Sequence, residues 1–475
     1  MRNRRIFAHA LLAVVLSALL AVSCRKNDSD ATLTFEVPSV YFTAAGSQAV
    51  VSFTAKGLSR FYVSSKPTGW GDDNVMLDAA RKQLTIVMPA ATDDGTIVES
   101  GTITLAGYTS KNNVKSATLF VGIVPEQELQ GPANCFIATV PDRHYVFKPV
   151  RRDGTELHPD HVDVVWQTSS RLLQYLHLDA NNRVSFYIGA DGAYTDEILR
   201  GNAVIGAYDA KNNLLWSWHI WSSSYDPEAD VVEWQNGYAM MNRNLGAYDN
   251  ANTTAAERLA SYGLYYQWGR KDPFIGPSDY RFSNGTSASM YATSYASVKI
   301  AYEESTADTG TAAYAAAHPL TFLTATSASN YDWNWSTASG GGWVSDYDPC
   351  PYGWKVAPAS AFSGLLLEGD PTADDYDIYG WPMTDGSATS LFLAGGYRTY
   401  LNGYFQNVYE PAVGGRANSA LEAQPWVGYY WTADTGIGRN AVSYYFWYDK
   451  KNVTGGRALI DAYRANGCSV RCVKE

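Results

Sequence analysis

Between residues 32 and 124 the chain alternates apolar and polar residues in short bursts, among them Leu33-Thr34-Phe35-Glu36-Val37, Val50-Val51-Ser52-Phe53-Thr54 and Ala117-Thr118-Leu119-Phe120-Val121. A period of two puts every second side chain on one face of an extended strand, so each burst needs a sheet to bury that face. Gly, Asn and Asp punctuate the gaps, and the spacing predicts an antiparallel sandwich over 32–124. The bursts resume over 133–225, in Tyr145-Val146-Phe147, Val184-Ser185-Phe186-Tyr187-Ile188, Gly201 to Tyr208 and Leu214 to Trp221. They predict a second small sandwich, with a hairpin turn at Asp209-Ala210-Lys211-Asn212-Asn213. A polar, Pro-containing joint at 125–132 separates the two.

Composition narrows the partners. The 475 residues include 34 Tyr, 15 Trp and 16 Phe, while charged residues are 17%. That profile suits β-rich extracellular modules with stacking surfaces. The length is too great for one core and fits about three domains. A net charge of −11 disfavours nucleic acid, whose phosphates need a positive footprint, and also disfavours an anionic membrane surface.

Residues 1–23 carry Arg2, Arg4 and Arg5 and then an apolar run from Ala10 to Val22, the order of an export signal. The run is shorter than the roughly 20 residues that cross a bilayer. Leu20-Ala21-Val22-Ser23-Cys24 resembles the lipobox of bacterial lipoproteins, with Ala21 standing where that pattern prefers Leu. The resemblance implies lipid attachment at Cys24, membrane contact through that lipid, and 24–31 as a tether. Lys26 to Asp30 is similar to the acidic export tag of Bacteroidetes surface lipoproteins, which implies an outer-membrane location facing the exterior. In the first sandwich, Phe61-Tyr62-Val63, Gly69-Trp70 and Glu99 to Leu105 resemble BACON-type immunoglobulin-like domains. Such a domain is expected here to act as a spacer.

Apart from Cys24 the cysteines are Cys135, Cys350, Cys468 and Cys472, which allow three complete pairings. In the same C-terminal half stand Asn242-Arg243-Asn244-Leu245-Gly246-Ala247, Tyr262 to Phe274, Asp348-Pro349-Cys350-Pro351-Tyr352-Gly353-Trp354-Lys355-Val356, Phe392 to Arg398, Gly428 to Thr432 and Ser469 to Val473. These ordered blocks resemble the Fibrobacter succinogenes major paralogous domain family, which is similar to C-type-lectin-like domains. The resemblance implies that 226–475 is one α+β module whose ends meet, closed by a Cys350–Cys472 cystine, with any ligand site in its loops. Cys468 departs from the family, which places an apolar or aromatic residue there. It is read as a buried thiol or as a partner of Cys472 or Cys135. The related formylglycine-generating enzymes use a C-terminal cysteine pair, but no His or clustered cation flanks these cysteines in sequence to activate a thiol.

The expected fold class is therefore mainly β: two immunoglobulin-like β-sandwich domains followed by an α+β C-type-lectin-like domain. Ligand contacts are expected between the framework blocks, over 276–346 and 399–429. There Asn402, Tyr404, Phe405, Gln406, Asn407, Trp426 and Tyr429 mix aromatic faces with amides, which suits sugar rings. Bracing of long loops is the competing reading. Pro358 to Leu367 suggests a short helix. Trp216 and Trp218 share one strand face and read as core. His158, Asp160, His161 and Asp163 read as a solvated loop, and Asp370, Asp374, Asp375 and Asp377 as an acidic turn lacking calcium-loop spacing. No nucleophile elbow, phosphate loop or zinc motif appears, and no cofactor is implied. The expected function is a surface-anchored lipoprotein that binds a glycan or a protein. The alternative is a structural envelope or fimbria-associated subunit, whose partners would be other fimbrial subunits.

Overall fold

The computed structural model describes residues 30–191, 196–278, 288–293, 296–324, 342–368, 380–395, 397–401, 404–408, 427–438, 440–449 and 454–475. Residues 1–23, read from sequence as an export signal, Cys24 and the acidic stretch Asp370 to Asp377 lie outside them. The chain is mainly β and divides into two compact units, Met1–Pro125 and Glu126–Glu475. No helix among the described residues is long and apolar enough to cross a membrane.

The first unit is a sandwich of two four-stranded sheets. One sheet orders Thr32–Phe35, Gln48–Lys56, Gln83–Val87 and Val75–Asp78; the other orders Ser39–Phe42, Val114–Ile123, Ser100–Thr109 and Leu58–Ser65. Alternate residues of both sheets meet in one core, with Val51, Phe53, Leu84 and Ile86 facing Ile103, Leu105, Leu119 and Val121. Trp70 fills this core and donates its indole N–H to the Val98 carbonyl at 2.9 Å.

The second unit is a stack of sheets with three cores. A four-stranded sheet (Gln174–Leu178, Val184–Ile188, Arg143–Phe147, Glu126–Glu128) faces a six-stranded one across Tyr145, Phe147, Phe186, Ile205, Trp218 and Ile220. Trp216 and Trp218 are core residues, as their spacing predicts. The central strands of the six-stranded sheet, Gly201–Tyr208 and Leu214–Ser222, are buried along nearly their whole length. Their turn forms at Asp209, whose carboxylate accepts from the Lys211 and Asn213 amides, each at 2.8 Å.

Burial of both faces has a cause: a second core lies behind the same sheet. There Trp166, Val204 and Trp221 pack with Leu245, Trp268, Trp431 and Val470. The edge of this sheet is completed by Met290–Tyr291 and Ser297–Val298. Segments 133–225 and 226–475, read from sequence as separate domains, thus share one core and one sheet. Hydrogen bonds join them as well. The Asn134 amide donates to the Asp346 and Asp348 carbonyls at 2.8 and 2.9 Å, and Arg152 donates to the Cys350 and Trp354 carbonyls at 2.7 and 2.5 Å.

Beyond this core lies a seven-stranded sheet including Val427–Thr435, Asn440–Asp449 and Thr454–Tyr463, whose far face carries the third core of Tyr430, Tyr444, Phe446, Phe392 and Trp381. The strand Cys472–Lys474 lies in the middle of a small sheet, between Ala239–Met241 and Trp354–Val356. Cys350 and Cys472 form a disulfide, while Cys135 and Cys468 are buried free thiols. Arg471 is fully buried and joins three sequence blocks: it donates to Asn244 Oδ1 at 3.0 Å, to Ser390 Oγ at 2.7 Å and to the Leu391 carbonyl. Its guanidinium also stacks 3.9 Å from the Phe392 ring centre. The helix expected from Pro358 is only a 3-10 turn, Ala359–Phe362, because Gly364 enters a positive φ of 84°.

Candidate functional site

Where the two parts of the second unit meet, a groove of about 610 Å³ opens. Such a volume accommodates a small ligand. One wall comes from the ends of the six-stranded sheet, through Thr168 and Asn202; the other comes from Tyr248, Leu259, Ile275 and Ala288. Leu259 projects from the helix Ala255–Tyr262. Thr254 starts that helix by accepting from the Glu257 amide at 3.2 Å, while Glu257 accepts from the Thr254 amide at 2.9 Å. Gly263 ends it at φ 72°. Gly246, at φ 79°, lies where a Cβ would stand 2.5 Å from Leu264 Cγ, so the groove wall requires glycine there.

The floor is a neutral hydrogen-bonded network. The Asn202 side-chain amide donates to the Gly246 carbonyl at 2.9 Å and to the Tyr248 hydroxyl at 2.8 Å. Its carbonyl faces His219 Nε2 at 2.9 Å, and the Tyr266 hydroxyl lies 3.5 Å from the other imidazole nitrogen. Burial pulls the His219 pKa down to about 3 and raises that of Tyr248. Among the described lining residues none carries a formal charge at neutral pH, in a chain whose net charge is −11. Apolar walls over a floor of hydroxyl and amide groups suit an uncharged ligand with both apolar faces and hydroxyls. A second groove, about 430 Å³, runs past Tyr352 and is acidic, with Glu128, Asp226 and Glu228. Glu228 is already held by Lys474 at 2.5 Å and by the Trp354 indole at 3.1 Å.

None of the individual residues expected from sequence to contact ligand is among the described residues that line this groove. Asn402 and Trp426 lie outside the described residues. Tyr404, Phe405, Gln406 and Asn407 belong to the strand Tyr404–Val408, which pairs antiparallel with Tyr397–Leu401. Tyr429 is corrected: it is only 6% exposed, on the strand Val427–Thr435, with its ring centre 4.8 Å from that of Tyr445. Strands buried on both faces read as continuous apolar runs, so Gly428 to Trp431 carried no mark separating wall from tip. The groove residues were missed because they converge from Thr168, Asn202, the stretch between Gly246 and Ser278, and Ala288 with Ser289. The Asn242 to Ala247 block was the available signal, but it reads as framework.

The fold and groove define a mainly β protein with a pocket in its larger unit whose described lining carries no formal charge. No family model matches the chain, and no curated protein matches it. Among solved structures it is similar to extracellular cadherin domains 1–4 of protocadherin gamma B7, at 8% identity and a TM-score of 0.15, covering 41% of this chain and 50% of that one. It is also similar to the insect immune protein hemolin, at 15% identity and a TM-score of 0.16, covering 47% and 64%. A third is mouse cadherin-23 EC22–24, at 10% identity and a TM-score of 0.15, covering 41% and 64%. The chain spans half to two thirds of the length of these structures. The fold assignment accordingly rests on the sheets themselves.

Proposed function

We propose that this chain is an exported lipoprotein, anchored through Cys24 at the outer membrane and facing the exterior, whose larger unit binds a neutral glycan. The groove floored by Asn202 and Tyr248, whose described lining residues carry no formal charge, is the observation that carries this reading. A sugar offers apolar C–H faces to Leu259 and Ile275 and hydroxyls to the floor and rim. Export is supported by the charge-then-apolar order of residues 1–23 and by Cys24 behind small residues. A C-type-lectin-like, major paralogous relationship for 226–475 is supported by Met240 pairing with Val473, which brings the module's ends together, and by the Cys350–Cys472 link.

The reading is one of binding and not of catalysis. Tyr248 is the only titratable side chain among the described lining residues, and burial raises its pKa away from neutrality. The test is glycan-array and calorimetric binding with protein lacking residues 1–24, beside Ala256→Trp, which fills the groove from an exposed helix position. Neutral glycan binding that disappears in Ala256→Trp while the melting temperature stays unchanged supports the assignment. Binding that survives the substitution, or a preference for anionic glycans, counts against it.

A further inference from the structure

The strand Thr454–Tyr463 closes one side of the seven-stranded sheet, and among the described residues its only strand partner is Asn440–Asp449. Among the described residues its other backbone edge is unpaired, a row of donors and acceptors on which another strand can build. The strand is accessible, with Leu459 48% and Tyr463 65% exposed. Gly455, Arg457, Leu459, Asp461 and Tyr463 alternate with Gly456, Ala458, Ile460 and Ala462, so the first set shares one face of the sheet. Ile460 and Ala462, on the other face, pack against the central core of their own unit.

The first set, exposed except for the half-buried Arg457, is symmetric in a way that selects its own copy. Arg457 and Asp461 stand at equal distances on either side of Leu459, with Gly455 and Tyr463 one step farther out. The two charges are about 13 Å apart along the strand, too far to pair within one chain. Neither has an ion-pair partner among the described residues. The Asp461 carboxylate is oriented by the Ile437 amide, which donates to Oδ1 at 2.9 Å. When two such strands run antiparallel with Leu459 opposite Leu459, Arg457 of each copy faces Asp461 of the other. Tyr463 of each then lies across Gly455, covering the backbone that glycine leaves bare. Moving the centre to Arg457 or to Asp461 sets like charges face to face. The Leu459-centred register alone opposes both charge pairs, and the arrangement is isologous, as a closed dimer requires.

We propose that Thr454–Tyr463 is a self-association edge, to which a second copy of this chain adds its own Thr454–Tyr463 strand antiparallel about Leu459, joining two sheets into one. This goes beyond glycan binding and does not depend on it. The test is sedimentation velocity on protein lacking residues 1–24, from micromolar to millimolar concentration, with Arg457→Asp, Asp461→Arg and the double exchange. The wild type dimerises reversibly. Each single exchange replaces two attractive cross-strand pairs with two repulsive ones and weakens association by at least about tenfold. The double exchange rebuilds both pairs in reverse and restores the dimer, which separates a register effect from a folding defect. A wild type that stays monomeric throughout the range, a dimer indifferent to both single exchanges, or a double exchange as weak as the singles overturns the proposal.

Discussion

Lys271 and Asp272, adjacent in the chain, form an ion pair with almost no solvent contact: Lys271 Nζ lies 2.8 and 2.9 Å from the two Asp272 oxygens, and the side chains are 1% and 0% exposed. The pair reaches across to the strand Leu214–Ser222. Lys271 donates to the Ser217 carbonyl at 2.8 Å and lies 4.6 Å from the Trp216 ring centre, while Ser217 Oγ donates to Asp272 Oδ1 at 2.6 Å. Burial pulls the Lys271 pKa down to about 8, with Asp272 opposing the shift.

Removing one member of such a pair leaves the other buried without its countercharge. Asp272→Asn is expected to destabilise the larger unit by about 3–5 kcal/mol, whereas Lys271→Met with Asp272→Leu costs much less because no charge is left behind. Urea unfolding followed by tryptophan fluorescence measures both. Equal losses in the single and the double variant would contradict this account of the pair.

His219 gives the larger unit a pH dependence. Its folded pKa, about 3, lies below the ordinary value of 6.5 because burial disfavours the charged ring. The folded state therefore keeps the ring neutral while the unfolded chain protonates it. The contribution is fully present above pH 6.5 and is lost as pH falls from there toward about 3. Between pH 6.5 and 5 it amounts to about 2 kcal/mol. Chemical denaturation at those two pH values should show a steeper loss for wild type than for His219→Gln; parallel losses would remove His219 from the explanation.

The cysteines predict a sharp difference between native and unfolded protein. The Cys350–Cys472 bridge closes a loop with a sequence separation of 122, worth about 5 kcal/mol on the chain-entropy model. Cys135 and Cys468 are buried, and burial raises both thiol pKa values. In protein lacking residues 1–24, a thiol reagent should titrate nothing in native buffer and both free thiols in denaturant. Cys350→Ala with Cys472→Ala should unfold at markedly lower denaturant. Rapid labelling of the native protein would contradict the burial of Cys135 and Cys468.

The β character was legible because alternation such as Leu84-Thr85-Ile86-Val87 demands a sheet whichever strand it meets, and the Pro-containing joint near 125 marked the end of the first unit. The Cys350–Cys472 pairing came from a family resemblance, since spacing alone left three arrangements open. The shared core across position 225 was not legible. Trp166, Val204 and Trp221 look the same in sequence whether they face Phe186 or Trp431, and only the second sheet decides. The groove was hidden for the same reason: Asn202 reads as one polar residue in an apolar strand until Gly246 and Tyr248 are folded against it. Tyr429 failed in the opposite direction, because an aromatic next to a long variable stretch resembles a ligand contact until its strand is seen to have a core on each face.

The central claim is that residues 126–475 are one folded body, with the groove built from both sides of position 225. Scanning calorimetry of a 126–475 fragment beside separate 126–225 and 226–475 fragments tests it directly. The account predicts a single cooperative transition for the whole and no cooperative transition for either part. Two independent transitions in the whole fragment, or a part that melts as it does within the whole, would contradict it.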